Sequence, residues 1–240
     1  MLAGDRDGST TSRALGVAAA IALGVGVAAC GSGGDDDAAP LETAGATTTE
    51  DTGLPSCRDV DRAVVFSVFG AATNGADGEV DRWVADEDAE PTPRPQAAEV
   101  VSAYREVGYE IVYLADLPSE THIGDQPVVD AVTVWLGLND FPVGDGVRVW
   151  APPGDGSADA QVALIEELAR MDAAGTEIDA GYAGDEDAVF PLVSGGVPRD
   201  RVYLLGDQTS GSAVSSTPLP DSQLAAHVAE IQALDPVCER

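Results

Sequence analysis

The stretch AVVFSVFG at residues 63–70 decides the fold. It is a short run rich in β-branched and aromatic residues and it ends at Gly70, a pattern that predicts a β-strand. We expect this strand to extend from Ala63 to Phe69 and to be the first strand of the folded region.

Short apolar runs alternate with amphipathic stretches through the rest of the chain. Further strands are predicted over residues 109–114, 147–150, 178–182 and 201–205, the last being the final strand. Helices are predicted over residues 95–108, 126–138, 158–174, 185–194 and 221–234. This order predicts an α/β fold, a Rossmann-like three-layer sandwich with a mostly parallel sheet. Any site should then lie along the edge of the sheet where the strands end.

The N-terminus has the order of an export signal. Arg6 and Arg13 precede an apolar run over residues 14–29, which leads directly to Cys30. The run of about sixteen residues is shorter than the roughly 20 that a membrane-spanning helix needs. Residues 27–29, Val-Ala-Ala, resemble the lipobox of bacterial lipoproteins, so we predict a signal peptide over residues 1–29 and lipidation of Cys30. An ordinary secreted protein or an uncleaved anchor would also export the domain.

Residues 30–56 predict a tether and residues 57–240 a single folded domain. The tether is rich in Gly, Thr and acidic residues and has almost no large apolar residue with which to form a core. The predicted location is therefore the extracytoplasmic face of the cell membrane, with the lipid anchor as the membrane contact.

With Cys30 assigned to lipid, Cys57 and Cys238 remain at the two ends of the folded region. Two thiols in an oxidising compartment predict one disulfide bond of structural role. The alternative is two unpaired thiols.

The formal net charge is −30, and all twelve basic residues are arginine. A negative field of this size repels phosphate groups, so nucleic acid is excluded as a partner. The acidity is equally explained as an aid to solvation in a salty exterior.

Several strings, taken in order, resemble the haloacid dehalogenase-like (HAD) superfamily, and within it the lipin-type phosphatidate phosphatase branch. They are VVF at 64–66 leading to Gly70, GYEIVYL at 108–114 before Pro118, WL at 135–136 followed by FP at 141–142, and GVP at 196–198 leading to RVY at 201–203. The resemblance implies a HAD-like domain. Because the polar segment 74–93 stands where the superfamily inserts its cap, we expect a cap that is small or absent.

The same resemblance shows which catalytic groups are replaced. Ser67 and Phe69 stand where the family has its nucleophilic and acid–base aspartates, and Ala115 stands where it has a phosphate-binding Thr or Ser. Leu117 stands where the lipin-like branch has an arginine. The lysine of the family is missing, since the chain contains none, and Arg148 is a substitute that nothing in the sequence places at the site.

Residues Asp185, Glu186 and Asp187 stand where the family has metal-binding acids. They are candidate magnesium ligands, because Mg²⁺ takes oxygen ligands. They are also favourable without any metal, since acidic residues stabilise the start of a helix. No cofactor is expected, except Mg²⁺ if these acids still form a metal site.

The serine, histidine and tryptophan residues suggest other sites. Ser67 with His122 or His227 as a base lacks the sharp turn of a serine nucleophile, and His122 could instead line the cleft. Trp135 and Trp150 are expected in the core, whereas Trp83 in the polar segment is the tryptophan expected to be exposed.

Loss of the nucleophile, the acid–base group and the phosphate-binding groups together predicts a pseudoenzyme. The sequence therefore favours a membrane-anchored HAD-like domain that acts as a binding or scaffold module for an unknown envelope protein or ligand. The alternative is a residual or altered metal-dependent phosphatase or hydrolase acting on a phosphorylated envelope component.

Overall fold

A computed structural model describes residues 61–75, 78–154, 157–206 and 216–237. The strands are β1 (Asp61–Ser67), β2 (Glu110–Leu114), β3 (His122–Ile123), β4 (Gln126–Pro127), β5 (Val147–Trp150), β6 (Thr176–Ala183), β7 (Val202–Leu205) and β8 (Thr217–Leu219). The helices are α1 (Glu79–Ala85), α2 (Ala97–Glu106), α3 (Val128–Leu138), α4 (Ser157–Ala173), α5 (Glu186–Ser194) and α6 (Leu224–Gln232).

Six strands form one sheet in the order β5-β2-β1-β6-β7-β8, and every neighbouring pair is parallel. The predicted α/β fold with a mostly parallel sheet is therefore confirmed. Strand β1 lies in the middle of the sheet and has no exposed residue after Asp61. The strand order reverses direction beside β1, and a crevice at the carboxyl ends of the strands is expected at such a point.

The two faces of the sheet are covered by different helices. One apolar cluster contains Phe66, Tyr113 and Tyr182 together with residues of α2, α3 and α6. The second contains Val65 and Leu114 together with residues of α4 and α5. The helices of these two clusters form the outer layers of the three-layer sandwich, with the sheet between them.

The structure differs from the predicted elements in four places. Pairing of β1 ends at Ser67, and a kinked turn over Val68–Ala72 follows where the strand was predicted to reach Phe69. The polar segment contains helix α1, and a short antiparallel hairpin of β3 and β4 precedes α3. The predicted final strand is followed by one more, β8, which contains Pro218. Proline lacks the N–H of a central strand, and β8 lies accordingly at the edge of the sheet.

Within the described residues, no helix combines the length and the apolar composition needed to cross a lipid bilayer. The predicted signal peptide, the tether, and the cysteines Cys30, Cys57 and Cys238 lie outside the described residues. Lipidation and the disulfide bond therefore remain predictions.

Candidate functional site

A cleft of about 320 Å³ opens at the carboxyl edge of the sheet. The turn after β1 and the segments that follow β2, β5 and β6 contribute residues to it, as do α4 and α5. Its lining residues are Ser67, Phe69, Val80, Leu114, Asp116, Trp150, Pro152, Ala160, Gln161, Leu164, Asp185, Asp187, Ala188, Pro191 and Leu192. The site is therefore at the edge predicted from the parallel sheet.

Ser67 occupies the end of β1, and only 1% of the residue is exposed. Its Oγ lies 2.6 Å from Oδ2 of Asp116 and 2.9 Å from the carbonyl oxygen of Phe69. A hydroxyl has one proton to donate. Both contacts are hydrogen bonds at the same time only when Asp116 is protonated and donates to Ser67 while Ser67 donates to Phe69.

The Asp116 carboxyl has the electrostatics that favour this protonated state. The pKa of Asp116 is raised to about 7, mainly because desolvation by the surrounding protein disfavours the charged carboxylate; the negative charge of Asp185 acts in the same direction, whereas a hydrogen bond from Ser67 acts in the opposite direction. Asp116 still meets solvent at the mouth of the cleft, and this access of water limits the rise. The carboxyl therefore changes its protonation closer to neutral pH than an ordinary aspartate does.

The Phe69 side chain belongs mainly to the core. It is 8% exposed, and its ring packs edge-on against Trp83 with 6.2 Å between the ring centroids. An apolar side chain held in this way offers no acid–base group to the cleft.

Ala115 and Leu117 do not line the cleft. Ala115 is fully buried, and its backbone N–H donates to the carbonyl oxygen of Trp150 at 2.8 Å. Leu117 packs against the first apolar cluster. Between them Asp116 points into the cleft, so the only polar side chain of this short segment is the one that reaches the site.

The three candidate metal-binding acids separate into two groups. Asp185 and Asp187 line the cleft, whereas Glu186 is not among the described lining residues. The Asp185 carboxylate also caps α5 by accepting a hydrogen bond from the backbone N–H of Ala188 at 2.9 Å. Across the part of the chain that the structure describes, no three His, Cys, Asp or Glu side chains converge closely enough to hold a metal ion.

Arg148 does not supply positive charge to the cleft. Its guanidinium pairs with Glu167 of α4 at 3.0 Å and donates to the sulfur of Met171 at 2.8 Å. Because Arg148 faces α4 and is absent from the described lining residues, it does not supply the positive charge for which it was considered.

Neither histidine contacts Ser67 in the structure. His122 is exposed in β3, with its Nδ1 3.0 Å from the carbonyl oxygen of Glu120. His227 is buried on the other side of the sheet, with its Nε2 2.7 Å from the hydroxyl of Tyr182. Neither lines the cleft, so the serine–histidine arrangement is not formed and the idea that His122 lines the cleft is wrong.

Two of the three tryptophans differ from expectation. Trp83 was expected to be exposed and is only 3% exposed, because it packs between Phe69 and Trp135. Trp150 was expected to be a core residue, but it is half-buried and forms part of the cleft wall. Trp135 is buried, as expected, with its indole N–H donating to the carbonyl oxygen of Pro91.

Asp116 is the site residue that sequence reasoning missed. It follows the end of β2 by two residues, in the same position relative to its strand as Asp185 relative to β6. Carboxylates just beyond the ends of parallel strands meet at one edge of the sheet. The position of Asp116 just after a predicted strand was therefore the feature of the sequence from which it could have been predicted as a site residue.

No family model matches this chain, and no curated protein matches it. Among solved structures it is similar to a protein from Mesorhizobium loti described as a HAD-like phosphatase, with 14% identity, a TM-score of 0.49, and coverage of 77% of this chain and 91% of that chain. It is also similar to a phosphoserine phosphatase from T. onnurineus, with 12% identity, a TM-score of 0.39, and coverage of 73% and 96%. At these TM-scores the two likenesses carry no inference about the activity of this chain.

Proposed function

We propose that this chain is a lipoprotein, anchored through Cys30 to the extracytoplasmic face of the membrane, whose HAD-like domain binds a ligand or an envelope protein in its cleft without hydrolysing phosphate esters. The observation that carries the proposal is the charge of the cleft. Its charged lining residues are Asp116, Asp185 and Asp187, and no arginine or histidine stands among the described lining residues.

A phosphate monoester would bring about two further negative charges into this site at neutral pH. Phosphoryl transfer depends on positive groups that stabilise the charge of the transferred phosphoryl group. The described cleft residues offer only carboxylates, and the one arginine that sequence analysis considered, Arg148, is paired with Glu167 outside the cleft. The electrostatics therefore oppose binding of the substrate before any chemical step.

The residues at the positions of the nucleophile and the acid–base group also argue against hydrolysis. Ser67 Oγ already bonds to Asp116 and to the carbonyl oxygen of Phe69, and the Phe69 ring is packed against Trp83. A cleft remains open beside them, with apolar walls and a few polar groups, which is the usual composition of a binding pocket. Binding without turnover is the function that fits this combination.

The first test is hydrolysis of p-nitrophenyl phosphate by the full-length chain, purified in detergent, with Mg²⁺ present. The expected result is product release no faster than in protein-free buffer. Mg²⁺-dependent release that is abolished by Ser67→Ala or by Asp187→Asn, and retained by Asp172→Asn, would overturn the proposal. Asp172 is an exposed carboxylate outside the cleft and serves as the matched control.

A metal-dependent hydrolase is the second candidate function, favoured by the presence of Asp185 and Asp187 in the same cleft as Asp116. A cation bound only to the folded state raises the melting temperature. Under this alternative Mg²⁺, Ca²⁺ or Mn²⁺ should raise the Tm of the wild type and of Asp172→Asn, and should leave the Tm of Asp187→Asn unchanged. Absence of any shift in the wild type would exclude the metal site.

The membrane anchor is tested separately by Cys30→Ser. The unchanged chain should sediment with the membrane fraction and should incorporate a labelled fatty acid. The variant should lose the label. Incorporation of the label by Cys30→Ser would show that the lipobox interpretation is wrong.

A further inference from the structure

We infer that the ligand of this cleft is an organic cation with an apolar or aromatic body, such as an amine or a quaternary ammonium compound. This inference rests on the proposed function, because it assigns a ligand class to the same binding cleft. It is carried by three observations: the size and apolar character of the walls, the sign and spacing of the charges, and the position of Trp150.

The volume of about 320 Å³ is at the lower end of the range of small-molecule pockets, which is about 300–1,000 Å³. Most of the wall is apolar and includes Phe69, Leu114, Trp150 and Leu164. A small ion would leave these walls in contact with water. A ligand with a hydrocarbon or aromatic body would remove them from water and gain the corresponding free energy.

Among the described residues of the cleft wall, the three charged side chains are all carboxylates, and the whole chain carries a net charge of −30. A cationic ligand is attracted by both the local and the overall field. In the described residues these three carboxylates do not converge closely enough to hold a metal ion. Carboxylates that share a cleft without converging on one point suit a ligand with an extended body better than a bare metal ion.

Trp150 gives the cation a second type of partner. It ends β5, next to the segment that carries Asp116, since β2 and β5 pair as Leu114 with Trp150. The indole face is the strongest aromatic partner for an organic cation, and the attraction grows when the site is partly desolvated. The half-buried Trp150 and the carboxyl of Asp116 therefore form adjacent parts of one cation-binding wall.

Binding of the cation should depend on pH, because Asp116 changes its protonation. A cation favours the ionised carboxyl, so binding should tighten as the pH rises and Asp116 loses its proton. Among the described residues, the charged groups that share the cleft with Asp116 are Asp185, which precedes α5, and Asp187 in the first turn of α5, and both carboxylates attract a cation. The wall residues from α4 and β5, namely Ala160, Gln161, Leu164 and Trp150, do not titrate.

The experiment is isothermal titration calorimetry on the full-length chain with three probes of similar size. Benzyltrimethylammonium carries a positive charge that does not depend on pH, benzyl alcohol is neutral, and phenyl phosphate is negative. We expect saturable binding of benzyltrimethylammonium at millimolar concentration or below, weaker binding of benzyl alcohol, and no binding of phenyl phosphate. Affinity for the cation should rise roughly tenfold between pH 6 and pH 8.

Two variants locate the site. Asp116→Asn keeps the shape of the side chain but removes its charge, and should weaken binding of the cation roughly tenfold at pH 8 and remove its dependence on pH. Asp172→Asn, which removes an equal charge outside the cleft, should bind as the wild type does. The pH dependence of the unchanged protein is the measurement that does not depend on how well any variant folds.

The outcomes distinguish this inference from the proposed function. Absence of cation binding, or binding of benzyl alcohol as tight as that of the cation, would overturn the ligand class, while the non-hydrolytic binding role would still stand. Hydrolysis of phenyl phosphate in the same titrations would overturn the proposed function itself.

Discussion

The backbone of Gly70 packs directly against that of Gly184. A Cβ placed on Gly70 would lie 2.9 Å from the Cα of Gly184, and Gly70 itself has a φ of 91°. Gly70 belongs to the kinked turn after β1 and Gly184 follows β6, so this contact joins the two segments that carry Phe69 and Asp185 into the cleft. Only residues without a side chain allow the two segments to approach so closely.

The first prediction compares two glycines with nearly the same φ angle. Gly144 has a φ of 97° and open space where its Cβ would be. Gly144→Ala should therefore cost only the strain of the left-handed conformation, about 1–2 kcal/mol. Gly70→Ala adds the clash with Gly184 and should lower the free energy of unfolding by about 1–3 kcal/mol more. Urea denaturation measures both, and equal losses would contradict the importance of the contact.

The second prediction concerns the charge that acts on Asp116. The negative charge of Asp185 contributes to the raised pKa of Asp116. Asp185→Asn removes that charge but keeps an oxygen that can cap α5, so the helix should remain intact. The pKa of Asp116, followed by NMR of its side-chain carbonyl carbon, should move toward the ordinary value. Asp172→Asn should leave it in place, and an unchanged pKa in Asp185→Asn would contradict the predicted coupling.

The third prediction concerns stability and pH. A carboxyl whose pKa is raised in the folded state binds its proton more tightly there than in the unfolded chain. The contribution of Asp116 to stability is greatest at a pH below the pKa that this carboxyl has in the unfolded chain. The contribution is lost as the pH rises from that value to the pKa in the folded protein, which is about 7. Asp116→Asn cannot ionise and should gain stability relative to the wild type between pH 4 and pH 8. Thermal unfolding at both pH values checks this, and a difference between the two proteins that does not change with pH would refute it.

The fourth prediction concerns the buried ion pair of Arg62 and Asp179. Asp179 is 3% exposed, and it also accepts a hydrogen bond from the hydroxyl of Tyr109 at 2.6 Å. Arg62→Met should leave Asp179 without its nearest positive partner and should cost about 3–5 kcal/mol of unfolding free energy. Arg201, whose Nη1 lies 3.5 Å from Asp179, should keep the loss from being larger.

Arg170 supplies the control for this pair. It bonds to Glu167 from the protein surface, where solvent screens the interaction. Arg170→Met should unfold with the wild-type free energy within the error of urea denaturation. A loss for Arg170→Met as large as that for Arg62→Met would show that burial does not decide the strength of these pairs.

The order of strands and helices could be read from the sequence because each signal is local. The strand at residues 147–150 and the helix near residues 158–174 were both predicted from the spacing of apolar side chains over a few turns or pleats. Strand β8 was missed because it has only three residues and contains Pro218, so neither its length nor its composition is typical of a strand. Helix α1 was missed because it has only seven residues and lies within a mostly polar segment, and because only Trp83 and Glu79 of the helix are buried.

The resemblance to the HAD superfamily predicted that Ser67, Phe69 and Ala115 stand at degenerate catalytic positions, and the structure places Ser67 and Phe69 in the cleft. Their partners could not be identified in that way. Asp116 lies 49 residues after Ser67, and the two side chains meet only because β1 and β2 pair with Ser67 opposite Leu114. A shift of that register would have separated them.

The sequence by itself determined the fold class, because apolar periodicity is a property of short segments. Only the tertiary structure decided which side chains share the cleft. Parallel pairing brings the ends of β1, β2, β5 and β6 to one edge, which unites Ser67, Asp116, Trp150 and Asp185 and leaves Trp83 in the core. The physical reason is that contacts between distant segments depend on strand register and close packing, which no short stretch of sequence encodes.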